Sequence, residues 1–167
     1  MERYDVVVAG GGAAGAAAAA GAARMGARVL LVERYGFLGG AATNAQVLSY
    51  CGFFACGDPP RAVVGGVGAD LLAELRKLGL DTAPVRAKSG NWIVMLDPEA
   101  AKLAFDRLVL AHDVALELHT RVVAAGRGGA RLTHVTLADH RGLRDVHAAC
   151  FVDASGEASL AALAGVP

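Results

Sequence analysis

Three glycines near the start of the chain constrain its fold more than any other feature. Gly10, Gly12 and Gly15 follow the apolar run 5–9 and precede an Ala-rich stretch, after which comes a second apolar run at 28–33. Runs of β-branched apolar residues are typical of buried parallel strands, and an Ala-rich stretch favours a helix. The order therefore predicts a strand, a glycine turn, a helix and a second strand, which is a βαβ unit of about 30 residues.

Each glycine has a physical task in such a unit when a dinucleotide binds to it. Gly10 permits the tight turn out of the strand, Gly12 lets a pyrophosphate approach the backbone, and Gly15 lets the helix pack closely on the sheet. The free N–H groups and the positive dipole end of the helix favour the phosphates. Glu33, at the end of the second strand, can accept hydrogen bonds from ribose hydroxyls and repels a 2′-phosphate. The pattern therefore disfavours NADP, but it does not separate FAD from NAD.

The rest of the chain continues the alternation of strands and helices and ends in a β-meander. Leucines at helical spacing predict a helix over 68–78, and an Asp-Pro start predicts another over about 97–112. Residues 34–66 and 80–91 show no period, so we expect a long loop region with short helical pieces and then irregular structure. The other predicted elements are strands at 92–96, 114–118, 122–126, 131–138 and 143–154, and a short helix that ends near Ala164.

Together these elements predict an α/β fold. We expect a Rossmann-like FAD/NAD(P)-binding domain over residues 1–167, with a parallel sheet flanked by helices plus an antiparallel β-meander. No linker, repeat or second domain is visible in the sequence.

The composition excludes several classes of protein. Hydrophobic residues make up 54% of the chain, which is too many for a disordered protein. The 16 basic residues balance 16 acidic ones, which leaves no basic footprint for nucleic acid. The longest run of small residues, 13–23, is far shorter than the roughly 20 residues that cross a membrane. Because the N-terminus also lacks the pattern of a secretory signal, we expect a soluble, cytoplasmic protein with no membrane or nucleic-acid partner.

The segment 33–43, Glu-Arg-Tyr-Gly-Phe-Leu-Gly-Gly-Ala-Ala-Thr, resembles a large family of FAD-dependent oxidoreductases. These have the two-dinucleotide-binding-domain flavoprotein fold, related to glutathione reductase and to the fumarate reductase flavoprotein. In that family a Gly-Gly-x-x-Thr-like stretch follows the second strand and wraps the FAD. The Asp-Ala-Ser-Gly stretch at 153–156 looks like the family's Ala-Thr-Gly motif with Ser in place of Thr. Further matching stretches at 65–67, 96–99, 119–123 and 160–167 extend the resemblance over essentially the whole chain.

The resemblance implies FAD as the cofactor and a set of residues that contact it. Those implied to surround the pyrophosphate are Gly10, Gly12, Ala13, Ala14 and Gly15, with Ala154 and Gly156 on the other side. Those implied at the two ends are Glu33 and Arg34 at the adenosine ribose, the backbone of Val122 at the adenine, and Gly40, Ala41, Ala42 and Thr43 on the path toward the flavin.

Members of this family are much longer than 167 residues. We therefore expect a fragment, in which the FAD-binding domain is present and the substrate domain is absent. In such enzymes the flavin carries the hydride or electron transfer, and the acids and bases usually lie in the substrate domain, so no residue here is assigned a catalytic role. The implied function is oxidation or reduction of an unidentified small molecule. Apolar surface left without its usual cover leads us to predict self-association.

Three alternatives stay open at this point. An NAD-binding dehydrogenase has the same fingerprint, and a non-catalytic nucleotide-binding module needs no further residues. A thiol–disulfide flavoenzyme would use Cys51 and Cys56, but that pair lies 11 residues past Gly40 rather than directly after it. Cys150 and Trp92 sit in apolar strands and are expected in the core. The histidine and cysteine spacings predict no metal site.

Overall fold

Strands and helices alternate through the first two thirds of the chain, and three long strands follow. A computed structural model describes residues 2–166. Its helices are α1 (Ala13–Arg24), α2 (Val67–Lys77), α3 (Pro98–Leu110) and α4 (Ser159–Leu163), with one turn of 3-10 helix at Gly40–Ala42. Its strands are β1 (Glu2–Ala9), β2 (Val29–Val32), β3 (Ser49–Cys51), β4 (Phe54–Ala55), β5 (Arg61–Ala62), β6 (Val85–Arg86), β7 (Trp92–Met95), β8 (Ala115–Glu117), β9 (Arg121–Gly128), β10 (Arg131–Asp139) and β11 (Gly142–Asp153). Within this described part of the chain, no helix combines the length and the apolar character that a membrane span requires.

The predicted βαβ unit is present as β1, α1 and β2. The buried side of α1 consists of Gly15 and three alanines, so the helix axis can lie close to the sheet. The chain leaves the helix at Gly26, which has a φ of +83° and whose N–H donates to the carbonyl of Ala23 at 2.9 Å. The prediction of strand, glycine turn, helix and strand is confirmed.

One six-stranded sheet, in the order β8-β2-β1-β11-β10-β9, contains both the parallel strands and the meander. The last strand, β11, belongs to both parts. Residues 142–147 pair antiparallel with β10, whereas residues 146–153 pair parallel with β1. The predicted parallel sheet and meander are confirmed, and they form one mixed sheet.

The two faces of the parallel strands pack against different layers. Side chains alternate between the faces of a strand, so neighbours in β1 point in opposite directions. Val8 packs in a cluster with Phe105 on the helix side, and Val7 packs with Val135 of the meander on the other side. The meander end of the sheet therefore curls over the parallel strands, and the short connection from β8 to β9 brings Val122 to the carboxyl ends of those strands.

The segments without sequence periodicity contain strands that the sequence does not predict. Strands β3 and β6 flank the predicted strand β7 in a small antiparallel sheet, and β4 pairs with β5. Apart from β7, these strands have only two or three residues. Such strands are too short to show an alternating pattern, which is why 34–66 and 80–91 are expected to be irregular.

The expected burial of Cys150 and Trp92 is wrong. Cys150 is exposed. Its neighbour Phe151 faces the meander, so Cys150 points to the helix side of the sheet, where the helices lie mainly over β1 and β2 rather than over β11. Trp92 is half-buried at the surface, where its ring N–H donates to the carbonyl of Gly57 at 2.6 Å. In β7 it is Val94 that enters the core, with no exposed surface.

Candidate functional site

The carboxyl ends of β1, β2 and β11 surround a groove of about 510 Å³. The chain leaves β1 toward β2 on one side, and β11 returns to pair with β1 on the other side. This is the point at which the strand order reverses, and ligands of open α/β sheets bind in the crevice outside the strand ends there. The predicted residues that line the groove are Gly10, Gly12, Ala13, Ala14, Glu33, Arg34, Gly40, Ala41, Val122, Ala154 and Gly156.

The first two glycines of the motif differ in what excludes a side chain. Gly10 has a φ of +103°, and a Cβ there would overlap the carbonyl of Ala154, so the fold itself requires glycine. Gly12 has an ordinary extended conformation with a φ of −67°. The nearest protein atom to a Cβ at Gly12 would be the Cα of Gly40, 3.8 Å away. Packing within residues 2–166 therefore leaves room at Gly12, and this room opens into the groove.

The third glycine lies beneath the groove rather than on its wall. A Cβ at Gly15 would overlap the carbonyl oxygen of Gly10 and lie 3.2 Å from the Cβ of Ala154. This contact holds the first turn of α1 against the ends of β1 and β11. Gly15 does not line the groove, but it fixes the position of the residues that do.

The N-terminus of α1 opens into the groove. Ala13 and Ala14 are exposed there, and their side chains are too small to cover the backbone. The first turn contains no acidic residue, and no side chain of residues 2–166 caps it. Its N–H groups and positive dipole end are therefore available to an anion.

Glu33 is buried at the end of β2, with 6% of its surface exposed. The backbone N–H of Gly11 donates to one carboxylate oxygen at 2.6 Å, and that of Tyr35 donates to the other at 2.9 Å. Each oxygen keeps a further lone pair, and Glu33 lines the groove. Glu33 thus fixes the glycine turn and also offers acceptors to a ligand. The hydrogen bond from Gly11 to Glu33 is not predicted from the sequence. Gly11 must also be small, because a Cβ there would overlap the side chain of Leu38.

An ion pair joins the two rims of the groove. Arg34 follows β2 and Glu157 follows β11, and the two guanidinium nitrogens of Arg34 lie 3.4 Å from the two carboxylate oxygens of Glu157. The hydrogen bond to Glu157 raises the pKa of Arg34 above its usual range. Both residues line the groove, and β1 lies between the strands that carry them. Glu157 carries no sequence signal, because its partner is 123 residues away.

Asp153 organises the loop that carries Glu157. Its carboxylate accepts hydrogen bonds from the hydroxyl of Ser155 at 2.7 Å and from the N–H of Ala161 at 2.9 Å. The Ser155 hydroxyl in turn accepts from the N–H of Ser159 at 2.8 Å. Burial opposes ionisation of Asp153, but these hydrogen bonds outweigh it and lower its pKa below the usual range. The Asp-Ala-Ser-Gly stretch is therefore a rigid turn against the groove.

The Gly-Gly segment after β2 forms the opposite wall. The N–H of Gly39 donates to the carbonyl of Gly11 at 2.9 Å, which places Gly40 and Ala41 on the groove. Ala42 and Thr43 do not line it as the resemblance implies, because both are buried behind this wall. The Thr43 hydroxyl donates to the carbonyl of Leu38 at 2.7 Å and so holds the turn.

The groove is also lined by polar side chains that are not among the predicted cofactor-binding residues. Thr120 lies beside Val122, and its N–H donates to the carbonyl of Glu33 at 2.9 Å. Asn44 continues the wall beyond Ala41. Side chains such as these carry no motif, because only the folded chain brings them to the strand ends.

The cysteine pair lies outside the groove. Cys51 and Cys56 are both exposed free thiols, and neither lines the groove. The Cys56 thiol lies 3.4 Å from the side-chain oxygen of Asn91. The arrangement gives no support for a redox-active pair in the groove.

Comparisons with known proteins agree with this geometry. The sequence profile of a family described as FAD dependent oxidoreductase matches residues 5–167. None of the proteins with curated functions matches the sequence.

Several solved structures resemble the fold at low sequence identity. A geranylgeranyl bacteriochlorophyll reductase-like protein of Thermoplasma acidophilum is 19% identical with a TM-score of 0.64, over 99% of this chain and 42% of that one. The p-nitrophenol 4-monooxygenase PnpA of Pseudomonas putida is 14% identical with a TM-score of 0.66, over 99% and 44%. The THI4 protein of Thermovibrio ammonificans is 18% identical with a TM-score of 0.63, over 99% and 64%. This likeness concerns the fold alone, and the chain spans less than two thirds of each of these proteins.

Proposed function

The chain belongs to the FAD-dependent oxidoreductase family, and from this premise we propose that the groove at the carboxyl ends of β1, β2 and β11 holds its cofactor, FAD. The observation that carries the proposal is the room at Gly12. The protein fills the space beside Gly10, Gly11 and Gly15, whereas a Cβ at Gly12 would meet only one atom, at the edge of van der Waals contact. That opening lies against the uncapped first turn of α1, where a pyrophosphate finds N–H donors and a positive dipole end.

The two ends of the groove suit the two ends of the cofactor. On the adenosine side, Glu33 offers fixed carboxylate lone pairs to the ribose hydroxyls, and Val122 offers backbone groups to the adenine. On the flavin side, Gly40 and Ala41 form a wall of backbone and small side chains. Ala154 and Gly156, which follow β11, approach the pyrophosphate from the side opposite the glycine turn. Ala42 and Thr43 support this wall from behind rather than touch the cofactor.

The proposed activity is a redox reaction of a small organic molecule. FAD supplies hydride or electron transfer when it is bound, so the protein's task is to bind and orient it. The chain spans only part of its structural relatives, so we assign it the role of the FAD-binding domain, residues 1–167, of a longer enzyme. Residues that position the substrate then come from outside this sequence.

The proposal extends to the setting of the enzyme. The exposed free thiols of Cys51, Cys56 and Cys150 suit a reducing compartment, which supports a cytoplasmic location. The equal numbers of basic and acidic residues support small molecules rather than nucleic acid as ligands. Leu103 and Leu110 lie on the same face of α3, two turns apart, and are 43% and 58% exposed. This exposed apolar surface favours self-association of the chain.

Reconstitution with FAD tests the proposal. The purified chain is mixed with FAD and desalted, and its visible absorption is recorded before and after. A flavin band at about 450 nm that is retained after desalting, and that is lost when the mixing and desalting are repeated with excess ADP as competitor, supports a dinucleotide site in the groove. A folded chain that retains no flavin, and on which FAD has no effect in equilibrium titration, contradicts it. Sedimentation over a concentration series tests the self-association separately.

A further inference from the structure

The adenosine end of the groove combines two features that predict opposite ligands. In Rossmann-like sites an acidic residue after the second strand binds the ribose 2′-hydroxyl, whereas a nearby arginine accommodates a 2′-phosphate. This chain has both, because Glu33 and Arg34 directly follow β2 and both line the groove. Two adjacent residues therefore favour opposite forms of the ribose.

The charges that line the groove are balanced. Four charged side chains of residues 2–166 line it, the acidic Glu33 and Glu157 and the basic Arg34 and Arg121. Glu33 holds the glycine turn, because its two carboxylate oxygens accept from backbone N–H groups. Arg121 is exposed next to Val122, which is the proposed contact of the adenine. Loss of the charge of Glu157 would leave one basic group in excess here.

The surroundings of Arg34 show what keeps it from a phosphate. Its two terminal nitrogens face the two carboxylate oxygens of Glu157, each pair 3.4 Å apart. The Cζ atom of Arg34 also lies 5.0 Å from the ring centroid of Tyr35, which lines the groove and fixes the guanidinium there. A phosphate binds a guanidinium through the same two nitrogens. A 2′-phosphate must therefore displace the Glu157 carboxylate to reach Arg34.

We propose that Glu157 is a specificity-determining residue, which pairs with Arg34 across the groove and thereby excludes adenine dinucleotides that carry a 2′-phosphate. The carboxylate occupies the guanidinium and repels the phosphate. FAD has a free 2′-hydroxyl, so this exclusion favours FAD over NADP. The inference rests on the proposed function, because it takes the ribose to lie beside Glu33. It adds a second determinant on the opposite rim, 123 residues from Arg34.

Two probes that differ by one phosphate test the proposal. ADP-ribose contains the adenosine and the pyrophosphate of a dinucleotide, and its 2′-phosphate derivative has one further phosphate group. Isothermal titration calorimetry at low ionic strength measures the dissociation constant of each probe for the purified chain. The wild type is expected to prefer ADP-ribose by at least about tenfold. In Glu157→Gln this preference should fall by about threefold to tenfold, because Arg34 becomes available to the extra phosphate.

Two further variants show whether the effect depends on Arg34. In the double variant Arg34→Gln/Glu157→Gln the preference should return to the wild-type value, because the group that binds the phosphate is removed together with its competitor. Glu99→Gln is the matched control for a lost negative charge. The Glu99 carboxylate is also exposed and paired, 2.7 Å from the Lys102 ammonium, but it does not line the groove. This control should keep the wild-type preference.

The change of preference in Glu157→Gln decides the inference. An unchanged preference, or an equal fall in the double variant or in Glu99→Gln, overturns it. Failure of ADP-ribose to bind a wild-type chain that binds FAD also overturns it, because the adenosine end then makes no separate contribution. In each of these cases a chain that binds FAD keeps its proposed function. A chain that binds neither FAD nor ADP-ribose contradicts both the proposed function and the role of Glu157.

Discussion

The groove and a neighbouring apolar cavity are built in opposite ways. That cavity has a volume of about 290 Å³, lies between α1, α2, α3 and β3, and shares Ala13 with the groove. The groove is formed by backbone at three strand ends, and its shape depends on positions where side chains are missing. The neighbouring cavity is formed by large side chains that converge from three helices and a strand. An added side-chain atom at one of the glycines should therefore damage the groove, whereas truncation of a large side chain should damage the cavity.

The largest effect is expected on the cavity side, at Phe105. This side chain is 2% exposed, lines the cavity and packs in the helix-side core. Phe105→Ala should lower the free energy of unfolding by about 3–5 kcal/mol, because it removes buried contacts and leaves a larger void. Urea denaturation followed by circular dichroism measures the loss. Phe105→Leu, which keeps most of the volume, should lose clearly less, and an equal loss in both variants would contradict this view of the cavity.

The groove side is expected to break when an atom is added at Gly15. A Cβ there would overlap the carbonyl oxygen of Gly10, so Gly15→Ala should lower the free energy of unfolding by about 3 kcal/mol. Gly21→Ala, in the same helix, is the control. A Cβ at Gly21 would meet no atom within 4 Å, and the change should raise stability by about 0.5–1 kcal/mol. If both variants melt at the wild-type temperature, the steric account of the groove is wrong.

These two effects also show where sequence reasoning succeeds. The turn at Gly10 and the packing at Gly15 are predicted because the βαβ unit is local, and a fixed spacing encodes its geometry. The cavity beside Phe105 is not predicted. Its walls come from α1, α2, α3 and β3, which are far apart in sequence, and no spacing rule connects them.

The groove itself is predicted only in part, for the same reason. Glu33 is found from its distance to the glycines, but Gly11 and Glu157 are missed because their partners lie 22 and 123 residues away. Ala42 and Thr43, which the resemblance implies on the path toward the flavin, are buried behind the groove wall. A family resemblance indicates which segment approaches a ligand, whereas burial of each side chain depends on the turn that the segment forms.

A smaller effect, dependent on pH, is expected at the loop after β11. Asp153 has a lowered pKa, so its ionised form stabilises the fold above its ordinary pKa of about 4, and this contribution disappears as the pH falls through the lowered value. Asp153→Asn should therefore be less stable than the wild type at pH 7, by about 1 kcal/mol from weakened hydrogen bonds. The difference should shrink below about pH 4. Thermal melts of both proteins across this pH range measure the difference. A difference that grows toward acid pH would contradict a stabilising role of the ionised Asp153 carboxylate.

The smallest effect is expected at the ion pair across the groove. Arg34 and Glu157 are partly exposed, so their coupling should be worth about 0.2–1 kcal/mol. Arg34→Gln, Glu157→Gln and the double variant, together with the wild type, form a double-mutant cycle for the free energy of unfolding. The coupling should decrease at high salt because exposed charges are screened. Additive effects of the two single changes at low salt would show that the pair does not act as a unit.

The central claim is that FAD lies against Gly12, and equilibrium titration of Gly12→Ala with FAD tests it most directly. The backbone at Gly12 accepts alanine, and the nearest protein atom to the new Cβ is 3.8 Å away, so the variant should unfold like the wild type. Its affinity for FAD should nevertheless fall at least about tenfold, or 1.4 kcal/mol, because the methyl group occupies the space proposed for the pyrophosphate. Gly21→Ala should bind as the wild type does. A Gly12→Ala variant that binds FAD with unchanged affinity would contradict the placement of the cofactor in this groove.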